Sequence, residues 1–150
     1  MKAYDYDYIV GIDPGVNTGL AGWHKRKKKL TAVGTFPIHK AMETIQLLHK
    51  EVKAAAYVGE VLRLLVRVED ARKRKWFGAK GREALQGAGS IKRDCQIWEE
   101  YLKYYKIDYE MVAPKDNKTK LDAAQFKTIT GWAQPTNEHG RDAAMLVFGL

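Results

Sequence analysis

The sequence predicts an α/β protein whose mixed five-stranded sheet is covered by helices on both faces. Three observations lead there. The chain opens with three short apolar segments of strand type; helical periodicity then alternates with two further strand-like runs; and two of the strands end in an acidic residue.

Tyr8 to Asp13 is a short apolar run that ends in an aspartate before a Pro14-Gly15 turn, the pattern of a buried strand. Thr18 to His24 and Leu30 to Phe36 read as two more strands, and the charged stretch His24 to Lys29 between them suits a solvated hairpin tip. Met42, Ile45, Leu48 and Val52 recur at helical spacing and mark one face of a helix that ends near Tyr57 to Gly59. Leu64 to Glu69 is the next strand, an apolar run broken by Arg67 and closed by the pair Glu69-Asp70. A long amphipathic helix follows, starting between Gly81 and Ser90, with Ala84, Ala88, Ile91, Cys95, Trp98, Leu102 and Tyr105 along one stripe. Ile107 to Val112 is a last short strand ended by Pro114, Leu121 to Ile129 is helical, and Asp142 to Leu150 closes the chain as an almost wholly apolar helix.

At 150 residues the chain fits one domain with a real core. Lys and Arg number 26 against 18 Asp and Glu, a formal charge of +8 that favours polyanionic partners, nucleic acid first among them. Cys95 is the single cysteine, which excludes an intramolecular disulfide or a thiolate zinc cluster within one chain and suits a reducing compartment. Met1 to Tyr8 does not have the charged-then-apolar pattern of a signal peptide, and no apolar stretch reaches the roughly 20 residues that span a bilayer. The expectation is a cytoplasmic protein.

Three acids each follow or open an otherwise apolar element: Asp13 and Glu69 at strand ends, Asp142 at a helix start. Ligands of mixed α/β sheets gather at the carboxyl ends of strands, and a helix packed beside that edge brings a third carboxylate to the same place. Such a cluster suits Mg²⁺, or Mn²⁺ in its stead, because hard divalent cations take oxygen ligands. Each acid also has an ordinary structural use. Asp13 can cap the Pro14-Gly15 turn, Glu69 can pair with Arg67 or Arg72, and Asp142 can serve as a first-turn acid of a helix. Taken singly the ordinary uses suffice; the ordered set, with His139 one helical turn before Asp142, favours the metal site.

Ile9-Val-Gly-Ile-Asp13-Pro-Gly-Val-Asn-Thr-Gly19, then Val66-Arg-Val-Glu69, then His139-Gly-Arg-Asp142-Ala-Ala resemble, in this order and over nearly the whole chain, the RuvC family of Holliday-junction resolvases. The resemblance implies an RNase H-like fold and a homodimer that cuts four-way DNA junctions by paired, symmetric phosphodiester hydrolysis. It also implies that Asp13, Glu69 and Asp142 bind two Mg²⁺ ions, with Asp13 bridging them and His139 in the fourth position as a ligand or a proton-transfer group. A bacterial or phage-infected cell is the expected setting. The chain departs from the family after the second acid, where Arg72 precedes the aromatics Trp76 and Phe77 that members carry earlier. Asp70 beside Glu69 is ambiguous, since neighbouring strand residues point to opposite faces, and the motif selects Glu69.

Arg72, Lys73, Arg74, Lys75, Trp76 and Phe77, followed by Lys80 and Arg82, interleave cations with aromatics as in sites that hold phosphates and stack on splayed bases. Lys115, Lys118 and Lys120 lie where the family places phosphate-contacting lysines, and one of them can offset charge on the scissile phosphate. The helix bearing Ile91, Cys95, Trp98 and Leu102 either forms a two-fold interface or packs on the sheet. Three rival functions share these residues: a structure-selective nuclease for flaps, forks or hybrids; a non-catalytic branched-DNA-binding module; and an actin-like nucleotide-binding domain, which needs two such domains where this chain supplies one.

Overall fold

The computed structural model describes residues 5–74, 82–114 and 120–150, with 82–86 and 88 described by backbone alone. Strands β1 (Tyr8–Asp13), β2 (Asn17–His24) and β3 (Lys29–Pro37) form a meander, and helix α1 (Ile38–Ala54) crosses to β4 (Leu64–Glu69). Helix α2 (Arg82–Tyr104) crosses to β5 (Tyr109–Val112), and α3 (Ala123–Thr130) and α4 (Glu138–Met145) follow. The strands lie in the order β3-β2-β1-β4-β5, antiparallel between β3 and β1 and parallel from β1 to β5. The fold is α/β with a five-stranded mixed sheet, consistent with an RNase H-like arrangement.

Alternation along the strands splits the core in two. Val10 and Ile12 of β1, Leu20 of β2, and Leu64, Val66 and Val68 of β4 point to one face, where Ala41, Ile45 and Val52 of α1 and Trp98 and Leu102 of α2 cover them. Ile9, Ala21, Trp23 and Leu65 point to the other, against Phe126 of α3 and the stretch from Ala143 to Val147. The two helices on the first face seal a wide apolar surface with large side chains. Cys95, Trp98 and Leu102 are fully buried there, so this part of the stripe on α2 packs within its own chain, while Ile91 and Ile97 stay exposed.

One element differs from the sequence reading. The helix expected over Asp142 to Leu150 lies earlier, at Glu138–Met145. Asn137 starts it: its side-chain oxygen accepts from the Gly140 amide at 3.0 Å and from the Thr35 hydroxyl of β3 at 2.5 Å. The apolar run beyond Met145 continues in tight turns, with the amides of Leu146 and Val147 bonded to the carbonyls of Ala143 and Ala144. Asp142 is therefore a mid-helix residue and His139 lies in the first turn. No helix among the described residues is long and apolar enough to cross a membrane.

Candidate metal centre

The register of β1 and β4 pairs Ile12 with Val68, so the next residues, Asp13 and Glu69, end neighbouring parallel strands side by side. Alternation turns both toward α4. Asp13 shares its face with Ile9 and Gly11, and Glu69 shares its face with Leu65, which packs on α4, and with Arg67, whose guanidinium donates to the Leu146 carbonyl.

Two glycines bring α4 down onto that edge. A Cβ on Gly19 would stand 2.0 Å from the carbonyl oxygen of His139, and one on Gly11 would stand 2.1 Å from that of Ala143. Backbone thus rests on backbone, closer than any side chain allows. Gly19 is the register partner of Asp13, so this contact sets His139 directly against the first acid. Nδ1 of His139 lies 3.0 Å from Oδ2 of Asp13, a distance at which a proton on Nδ1 is donated to the carboxylate.

Asp142 follows one helical turn on, and Nζ of Lys120 approaches its Oδ2 at 3.8 Å. Burial pushes the Asp13 carboxyl above the usual carboxylate range against the pull of the His139 hydrogen bond, and the charge of Asp142 raises it further. Burial likewise raises Asp142, with Glu138 adding to the rise and Lys120 opposing it. Two carboxylates that repel each other in a partly buried edge are the electrostatic condition that a divalent cation relieves. The donor set, three carboxylates and one imidazole, fits a hard divalent ion. As they stand, no three His, Cys, Asp or Glu side chains among the described residues are grouped closely enough to hold one, and Asp13 is engaged by His139 instead.

Asp70 is turned away from this edge. Its amide bonds to Val112, and its nearly inaccessible carboxylate accepts from the Arg72 amide and takes both Nε and Nη2 of Arg72 at 2.8 Å. Burial alone would raise this carboxyl, but the hydrogen bonds and charge of Arg72 outweigh it and hold it below the ordinary range. Arg72 also reaches Glu99 of α2 at 3.1 Å. A residue expected to touch DNA is thus the clasp between the end of β4 and α2. Arg67, the other expected partner of Glu69, pairs with Glu110 of β5 at 3.0 Å. The buried Cys95 thiol, pushed up to about 11 by burial, donates to the carbonyl of Glu69 and ties the same strand end to α2.

No protein-family model matches the chain, and no curated protein matches it either.

Of the basic positions expected to meet DNA, Lys73 and Arg74 are exposed next to the Asp70 clasp, and Lys73 donates to the Met111 carbonyl. Arg82 opens α2 and is described by its backbone only. Lys75, Trp76, Phe77, Lys80, Lys115 and Lys118 lie outside the described residues. Sequence reasoning missed Gly11 and Gly19, although glycine inside an apolar strand is itself a sign of close backbone approach. It also missed the contacts of Arg141 with Leu121 and Thr136.

Proposed function

We propose that this chain is a divalent-metal-dependent endonuclease of the RuvC type that resolves four-way DNA junctions, acting as a homodimer in the cytoplasm of a bacterial or phage-infected cell. The observation that carries the reading is the seating of α4 on Gly11 and Gly19, which brings His139 and Asp142 to the sheet edge where Asp13 and Glu69 end adjacent strands. Asp13, Glu69 and Asp142, with His139, are the residues that would hold Mg²⁺, two ions in all, with Mn²⁺ able to replace it. When bound, the ions supply an activated water and charge stabilisation on the phosphodiester.

The remaining chemistry belongs to the chain. Asp13 orients the His139 ring by taking Nδ1, which leaves Nε2 either to ligate an ion or to take up or deliver a proton. Lys120, an exposed cation beside Asp142, offsets charge on an incoming phosphate. The net charge of +8 steers the polyanion to the molecule. A four-way junction has two-fold symmetry, and a dimer presents two such sites to it.

The test is cleavage of a synthetic four-way junction beside linear duplex, flap and RNA–DNA hybrid, in Mg²⁺ or EDTA, with wild type and Asp13→Asn. Symmetric, metal-dependent cuts confined to the junction are expected, reduced at least about a hundredfold in the variant while junction binding persists. Tight binding with no cleavage in any divalent metal would reduce the protein to a branched-DNA-binding module. Equal cutting of the other substrates would make it a general structure-selective nuclease.

A further inference from the structure

We infer that Arg141 is a positioning residue that fastens Lys120 beside Asp142. Nε of Arg141 donates to the carbonyl of Leu121 at 2.9 Å, and Nη1 donates to the carbonyl and hydroxyl oxygens of Thr136 at 3.0 and 3.1 Å. Leu121 is the residue after Lys120, and Asp142 is the residue after Arg141. Consecutive residues of α4 therefore face consecutive residues of the preceding connection: Arg141 grips the backbone of Leu121, and Asp142 receives the ammonium of Lys120 at 3.8 Å.

An exposed lysine at that distance gains little from the ion pair alone and does not hold its segment in place. The planar guanidinium, with donors pointing in two directions, spans Leu121 and Thr136 at once and ties both ends of the α3 region to α4. The cation and the acids are then carried on one unit, so Lys120 meets a bound phosphate without a search. The charge of Arg141 also bears on Asp142, but its hydrogen bonds go to Leu121 and Thr136, and its positioning action runs through Lys120. The inference rests on the nuclease reading for the use of Lys120, but not for its placement.

Two measurements on the full-length chain separate these layers. The first is single-turnover cleavage of the four-way junction in Mg²⁺ by Lys120→Ala, Arg141→Gln, Arg141→Lys and the Lys120→Ala/Arg141→Gln double variant, at a temperature where circular dichroism shows all of them folded. Arg141→Gln should lose about tenfold in rate, Arg141→Lys less, and the double variant should be no slower than Lys120→Ala. Single losses that multiply in the double variant would mean that Arg141 acts independently of Lys120 and would overturn the inference. The second needs no activity: trypsin cleavage of the Lys120–Leu121 bond, read by mass spectrometry, should be several-fold faster in Arg141→Gln than in wild type, with Arg141→Lys between. If wild type cuts no junction, the nuclease reading fails while the trypsin result still judges Arg141. A cleavage rate after Lys120 unchanged by Arg141→Gln would sink the inference whatever the enzyme does.

Discussion

The two faces of the sheet are built on opposite principles. Toward α1 and α2 the sheet offers Val10, Ile12, Leu20, Val66 and Val68, and the helices answer with Ile45, Trp98 and Leu102, so contact is made through large side chains. Toward α4 it offers Gly11 and Gly19 beneath the carbonyls of Ala143 and His139, and a Cβ on Gly140 of α4 would stand 3.2 Å from the backbone of Gly34. Side chains on the first face can change rotamer and re-pack around a defect; backbone in contact with backbone has no such freedom. Both faces bury an apolar core, and the second also supplies position. His139 and Asp142, the residues of the proposed centre carried by α4, lie on the second.

The strongest way to break this contrast is to add one methyl group to the glycine face. Gly19→Ala puts a Cβ 2.0 Å from the His139 carbonyl, with no flexible atom to yield, and α4 must lift from the sheet. A stability loss of about 3 kcal/mol is expected, with metal-dependent cleavage lost even at temperatures where the variant is folded. Leu102→Ala on the other face should cost a comparable 2–5 kcal/mol, roughly, through its cavity, yet keep cleavage near the wild-type level well below its melting temperature. Melting curves and cleavage rates for the pair, taken at matched distances below Tm, test the division. Equal loss of cleavage in both would mean that the glycine contacts place nothing that general packing does not.

A smaller effect is expected from the charge at the site. Burial first, and then the neighbouring carboxylate, holds Asp13 above the ordinary range. An acid raised in this way contributes stability that is fully present below its unfolded pKa and is lost as pH rises through the folded value. Asp70 runs in the opposite sense: held low by Arg72, its contribution is present above its unfolded pKa and lost as pH falls through the folded value. Comparing wild type with Asp13→Asn cancels Asp70. In EDTA the variant should become the more stable of the two as pH rises from about 4 to about 7. Saturating Mg²⁺ should then raise the Tm of wild type and leave the variant nearly unmoved. A stability difference that ignores both pH and metal would remove the electrostatic basis of the proposed centre.

How much of this was legible in the sequence follows from the range of each interaction. β1 and β4 begin and end where read, because their apolar runs stop at acids followed by turn or basic residues, which is local information. Asp13 and Glu69 were legible for the same reason. The start of α4 was misread because the apolar density after Asp142 outweighed a polar first turn, although Asn137 is a good cap and its bond to Gly140 is local. The capping box of α3, Asp122 with Gln125, was equally readable. The distant partners of Arg72 and Arg141 were not. Glu99 and Leu121 lie 27 and 20 positions away, and only the assembled fold brings them into reach. Alternation along β4 separates Glu69 from Asp70, whose carboxylate is taken by Arg72.

The smallest effect sharpens the comparison by using the same residue type where the fold makes no demand on it. Gly89 lies within α2, is exposed, and among the described residues has nothing within 4 Å of where a Cβ would stand. Glycine in a helix interior carries excess unfolded-state entropy, so Gly89→Ala should stabilise the protein by up to about 1 kcal/mol and leave junction cleavage unchanged. The sign, opposite to that of Gly19→Ala, is the point: what the fold requires at Gly19 is the absent Cβ, whereas at Gly89 its absence only weakens the helix. Chemical denaturation with unchanged slope would measure it. A loss of stability at Gly89 would mean instead that another backbone lies against α2, and concentration dependence of that loss would identify it as a second copy of the chain.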